Sequence, residues 1–118
     1  MPKRIVVVGF GSSGQKHLAA VRELFPDSII QILRRDISNS NWGSNVFEVK
    51  RISEVLEFSP QMVIICNPAS KHIEVALELA ESGAHLLIEK PISDSVAATV
   101  GFLKEYKSRK FSLTIGYN

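Results

Sequence analysis

The sequence predicts an α/β fold: a doubly wound, mostly parallel sheet with helices on both faces, in a single domain. Three observations lead there. Short apolar, β-rich runs alternate with helix-period segments along the chain. Residues 62–66 (Met-Val-Ile-Ile-Cys) are apolar without alternation, as in a parallel strand covered on both faces. A β-branched run, residues 4–8, leads straight into Gly9-x-Gly11-x-x-Gly14, with a helical pattern behind it. Strand–helix alternation of this kind requires a parallel sheet with helices packed on it. At 118 residues the chain is long enough for one domain with its own core.

Each element has its own warrant. Residues 4–8 form the first strand. Residues 13–25 form the first helix, with Leu18, Val21 and Phe25 as the inward stripe and Lys16, Arg22 and Glu23 polar; Pro26-Asp27 stops it. Residues 29–33 are a second strand, residues 46–49 a weak third, and residues 52–58 a short helix ended by Ser59-Pro60. After the central strand, Ile73, Ala76, Leu77 and Ala80 recur at helical spacing, opposite Glu74, Glu78 and Glu81. Ser70 suits its N-cap, and Gly83 suits a left-handed residue after its end. Residues 86–88 are a further strand. Ser93 or Asp94 caps the last helix, whose stripe reads Val96, Val100 and Leu103, and residues 112–117 close as a strand.

Composition excludes several classes of function. Fourteen basic and twelve acidic residues give a formal charge of +2, which predicts no nucleic-acid surface and no membrane patch. The apolar run behind the basic start is too short for a secretion signal or a membrane span. A single cysteine, Cys66, suggests a reducing, cytoplasmic setting. His17, His72 and His85 lack metal-ligand spacing with one another or with Cys66, so no metal is expected. Cys66 reads as a small buried hydrophobe. Trp42 reads as cover for an edge of the core, with adenine stacking as the alternative.

Right-handed crossovers put the loops after the strands on one sheet edge, where ligands of such folds bind. The first loop has the chemistry of a dinucleotide pyrophosphate site. Gly9 permits the tight turn, Gly11 leaves room for the diphosphate beside Phe10, and Gly14 lets the helix lie close to the strand. Amides near Ser12 and Ser13 would point at the phosphates. The two hydroxyls would either add bonds to them or cap the helix. About 20 residues on, where NAD-binding domains usually carry an acid for the ribose, stand Arg34 and Arg35. Arginine there would neutralise a 2′-phosphate, with Ser38 and Ser40 as further donors, which favours NADP over NAD. The other reading makes both arginines solvated charges and lets Asp36 reach the ribose.

Two further loops add specificity. Asn67-Pro68-Ala69-Ser70-Lys71-His72 precedes the clearest helix, and Glu89-Lys90-Pro91 follows the strand at residues 86–88. With His17 three residues beyond Gly14, and Gly116-Tyr117-Asn118 at the end, the chain resembles the glucose–fructose oxidoreductase / inositol dehydrogenase family (Gfo/Idh/MocA). The resemblance runs from about Ile5 to Asn118.

That resemblance implies an NAD(P)-dependent oxidoreductase acting on sugars, inositols and related polyols, with a Rossmann domain over residues 1–118. It implies that Lys90 is the catalytic-site lysine, near the nicotinamide ribose and the substrate. Pro91 would hold its loop, often through a cis peptide. Asn67 and Pro68 would lie beneath the cofactor, with His72 starting the helix there and Glu89 beside Lys90. Tyr117 would be a strand residue or line the nicotinamide end. Asn67 stands where the family commonly has Thr or Ser, and Arg34 or Arg35 where it often has an acid. The family's second domain, which supplies most of the substrate site, the usual acid/base histidine and the main dimer surface, would begin where this sequence stops. The expectation is therefore the cofactor-binding half of a longer, homo-oligomeric enzyme, itself monomeric and without turnover. The competing expectation is a stand-alone NAD(P)-sensing module.

Overall fold

A computed structural model describes residues 2–38 and 40–116. Six strands form one sheet: β1 Arg4–Val8, β2 Ile29–Leu33, β3 Val46–Val49, β4 Met62–Ile65, β5 His85–Glu89 and β6 Leu113–Gly116. Their order is β3-β2-β1-β4-β5-β6, with every neighbouring pair parallel. Four helices connect them: α1 Ser12–Leu24, α2 Ile52–Phe58, α3 His72–Ala80 and α4 Val96–Arg109. This is the doubly wound Rossmann arrangement the sequence predicts. The chain runs outward from β1 to β3, then crosses back to β4 on the other side of β1. The switch point therefore lies between β1 and β4, and a cleft opens there at the carboxyl ends of the strands.

Alternation along β1 divides the core. Ile5 and Val7 face one side with Leu18 and Val21 of α1. Val6 and Val8 face the other with Val55 of α2, Ala76 and Leu79 of α3, and Phe102 of α4. Ile5, Val6 and Val7 are fully buried, which explains why β4 and all of β1 beyond Arg4 are apolar. Among the described residues, no helix joins β2 to β3. The loop between them instead lays Trp42 on Phe10, ring centroids 4.6 Å apart and edge to face. Trp42 thus covers the core edge, as the sequence reading preferred.

The differences from expectation lie at helix ends and on α4. α1 begins and ends one residue early, at Ser12 and Leu24. Ser70 does not cap α3. A short 3-10 turn, Ala69–Lys71, closed by Lys71 N–H on the Pro68 carbonyl at 2.8 Å, postpones the α-helix to His72. Gly83 does adopt the left-handed conformation, at φ +77°. The cap of α4 is Ser95, whose Oγ accepts from the Ala98 amide at 3.2 Å; Ser93 and Asp94 lie before it. The stripe assigned inward on α4 is wrong. Val96, Val100 and Leu103 are 84%, 48% and 43% exposed, and the buried side chain is Phe102. Half-buried Thr99 and buried Phe102 also stand at helical spacing, so periodicity alone does not choose between the two faces. The last strand is described to Gly116; Tyr117 and Asn118 lie outside the described residues.

Candidate functional site

The turn after β1 carries the site. Gly9 sits at φ +83°, and a Cβ there would come 2.7 Å from the Asn67 Cα. A Cβ on Gly14 would come 2.5 Å from the Gly9 carbonyl oxygen. Both glycines are therefore required by the backbone itself. Gly11 differs: a Cβ there meets nothing within 4 Å. Sterically the fold would accept a side chain at Gly11, so the open space is available to a ligand. Gly11 is the N-cap of α1 and no side chain caps the helix. The first amides of α1 thus face that space uncapped, where the helix dipole favours an anion.

The cleft at this turn has a volume of about 610 Å³. Of the residues predicted to bind cofactor, Gly9, Phe10, Gly11, Arg34, Arg35, Asn67 and Pro68 line it. Asp36, the alternative ribose partner, lines it too, as do Lys50 and Lys71, which the sequence reading did not single out. Lys50 follows a weak strand and Lys71 lies within a loop, so neither carries a motif of its own. Asn67 Oδ1 is buried with no hydrogen-bond partner. A buried acceptor left alone costs stability, and one on the wall of a cleft fits a ligand that donates to it. The uncapped α1 terminus, the open face of Gly11 and this orphaned acceptor together fit a dinucleotide.

The other predicted residues do different work. Ser12 is exposed and its side chain does not line the cleft, and neither it nor Ser13 caps α1. The Ser13 hydroxyl donates to Glu89 Oε2, and His17 Nε2 lies 3.0 Å from the same oxygen. Glu89 thus fastens the end of β5 to the first turns of α1. His72 is not on the cleft wall. It is 2% exposed, with its ring nitrogens 3.0 Å from the Pro91 carbonyl oxygen and 2.5 Å from that of Asn67. Carbonyls only accept, so the ring nitrogen that carries the proton donates to one of them, and the ring stands between the loop after β4 and the loop after β5. The Lys90–Pro91 peptide is cis. Lys90 is exposed, and with Pro91 it borders a separate recess that also includes Thr99 and Ile115.

Arg34 and Ser38 both converge on Glu48. Arg34 Nη1 lies 3.1 Å from Glu48 Oε1, and its guanidinium sits 5.5 Å over the Phe10 ring. Ser38 donates its amide at 3.1 Å and its hydroxyl at 2.7 Å. Burial works to raise the Glu48 pKa. The Ser38 bonds and the Arg34 charge outweigh it and hold the carboxyl below its ordinary 4.5. A carboxyl more acidic in the folded chain stabilises it above the unfolded value and loses that contribution as pH falls through the folded one. Thermal melts below about pH 5 should therefore drop more steeply for the wild type than for Glu48→Gln. Parallel acid limbs would contradict this.

Cys66 follows β4 and donates its thiol to the Val8 and Gly9 carbonyls at 3.2 and 3.4 Å. Burial, with the Glu89 charge added, pushes its pKa up to about 12. It is a poor nucleophile, as the sequence suggested. The folded chain should resist maleimide at about pH 7.5 and label after unfolding. Stoichiometric labelling of the native chain within minutes would contradict that. His85 bridges Ser112 and Thr114 across the sheet.

Comparison with known proteins agrees with this geometry. The family model described as "Oxidoreductase family, NAD-binding Rossmann fold" (Gfo/Idh/MocA) matches residues 3–117. The chain is 26% identical to 4-carboxy-2-hydroxymuconate-6-semialdehyde dehydrogenase of Sphingobium sp., over 97% of this chain and 38% of that protein. It is 32% identical to human biliverdin reductase A, over 80% of this chain and 32% of that protein. Among solved structures it superposes on myo-inositol 2-dehydrogenase of Lactobacillus plantarum with TM-score 0.82 at 18% identity, covering 98% of this chain and 36% of that one. The WlbA dehydrogenase of Chromobacterium violaceum, in complex with NADH and UDP-GlcNAcA, gives TM-score 0.82 at 19% identity, covering 96% and 34%. The chain thus spans less than two fifths of the length of each of these relatives.

Proposed function

The chain belongs to the Gfo/Idh/MocA oxidoreductase family, over its NAD-binding Rossmann fold, and from that premise we propose that it is the nicotinamide-dinucleotide half of a hydride-transferring enzyme. The observation that carries this reading is the uncapped start of α1 facing the open side of Gly11. Ser12, Ser13 and Gly14 would hold the diphosphate through their amides, with Asn67 Oδ1 accepting from the cofactor deeper in the cleft. When bound, the nicotinamide supplies or takes the hydride. Glu89 and His72 act at one remove, fixing the β5 loop that presents Lys90. Lys90 would stabilise charge on the substrate oxygen electrostatically.

NADP is favoured over NAD, because Arg35 lines the cleft just past the end of β2, with Asp36 the one acid among the described lining residues. The substrate we propose is a sugar- or polyol-like alcohol or ketone, bound with the help of a second domain that excludes water and moves the hydroxyl proton. Cytoplasmic location and homo-oligomeric assembly of the whole enzyme belong to the same proposal. Calorimetric titration of the chain with NADPH and NADH tests it. Saturable binding of at least one supports the reading, and binding of neither would overturn it.

A further inference from the structure

The cleft end at β2 and β3 distributes its charges in a way the order of residues does not reveal. Leu33 pairs with Val49 in the sheet, and the Arg34 amide donates to the Val49 carbonyl at 3.0 Å. Lys50 therefore leaves β3 beside Arg34 and Arg35, and all three line the cleft. Arg34 is already committed. Its guanidinium is paired with Glu48, whose side chain is only 5% exposed, and rests over Phe10. Ser38 is committed to the same carboxylate through both its amide and its hydroxyl. Two of the four groups assigned to a 2′-phosphate, Arg34 and Ser38, are thus answered within the protein. Arg35 and Lys50 are both exposed and, among the described residues, take part in no ion pair. Asp36 is, among the described residues, the only acid that lines the cleft.

We propose that Lys50 and Arg35 form the 2′-phosphate site, while Arg34, locked by Glu48, is the fixed wall against which the adenosine lies. This rests on the cofactor reading above and goes further by naming the residues that choose between its two forms. A dianionic phosphate between two unpaired cations gains charge-assisted hydrogen bonds that a ribose hydroxyl cannot match. A locked, charge-compensated Arg34 treats both cofactors alike. Glu48 becomes a positioning residue: it holds Arg34 and the loop through Ser38 clear of the space above Lys50.

Two small probes carry this end of the cofactor alone, 2′,5′-ADP and 5′-AMP. In calorimetry, Lys50→Ala and Arg35→Ala should each weaken 2′,5′-ADP by about tenfold and leave 5′-AMP within about twofold. Lys50→Arg should keep the preference, and Arg34→Ala should weaken both probes by similar factors. The wild-type advantage of 2′,5′-ADP should shrink as salt rises. An unchanged ratio in both Lys50→Ala and Arg35→Ala, or a ratio lost only in Arg34→Ala, would overturn the assignment. Wild-type binding of NADH and 5′-AMP with no gain from the 2′-phosphate would overturn it too, yet leave the dinucleotide reading intact. Failure of NADPH and NADH alike would remove that reading itself.

Discussion

Gly11→Val is expected to abolish dinucleotide binding, raising Kd by about a hundredfold or more, while the melting temperature stays within about 2 °C of the wild type. The two halves of this result come from one observation. A Cβ at Gly11 meets no protein atom within 4 Å, and the residue's φ of −79° suits any L-amino acid. The added branches instead occupy the approach to the first amides of α1, where a diphosphate must come close. Gly9→Val and Gly14→Val make the contrast. Their Cβ atoms would run into backbone at 2.7 and 2.5 Å, so both should lower stability along with binding. Calorimetry with circular-dichroism melts separates the cases. Cofactor affinity retained in Gly11→Val would show that the space above this turn is not the phosphate site.

His72→Phe is expected to cost about 2–3 kcal/mol, the hydrogen bond of a buried ring to the facing loop having been lost, with a fall in melting temperature of roughly 8–12 °C. Phenylalanine is larger than histidine and leaves no cavity, so Asn or Gln at the same position, able to donate, should recover part of the loss. The ring sits between the carbonyls of Asn67 and Pro91, and so between the loops that carry the cleft floor and Lys90. Cofactor affinity should fall with stability, because the orphaned Asn67 acceptor loses its fixed position. A variant that melted within a few degrees of the wild type, with unchanged affinity, would show that the two loops hold themselves.

Most of the fold is legible in the sequence because burial on both faces leaves the central strands no choice. β1, β2, β3 and α2 run between the residues the pattern marks. The turn chemistry is equally direct, since Gly9 and Gly14 answer to backbone contacts that no other residue permits. Helix starts are less legible. Ser93, Asp94 and Ser95 are all capping types in a row, and only the bond from Ala98 selects Ser95. The α4 stripe misleads for a related reason, since Phe102 and the valines differ only in which side meets the sheet. Within the site, the pyrophosphate turn could be read from residue order. The roles of Glu48, Lys50 and His72 could not. Each depends on a partner distant in sequence or on another strand: Glu48 on Arg34, Lys50 on the β2–β3 register, His72 on Pro91.

The most direct measurement is a titration of the ¹⁵N-labelled chain with NADPH, followed through backbone amide resonances. The account predicts saturable shifts, largest at Gly9, Gly11, Ser12 and Ser13, with smaller ones at Arg35, Lys50 and Asn67 and none along α4. Saturation with the turn after β1 unmoved, and the shifts gathered elsewhere on the molecule, would contradict it.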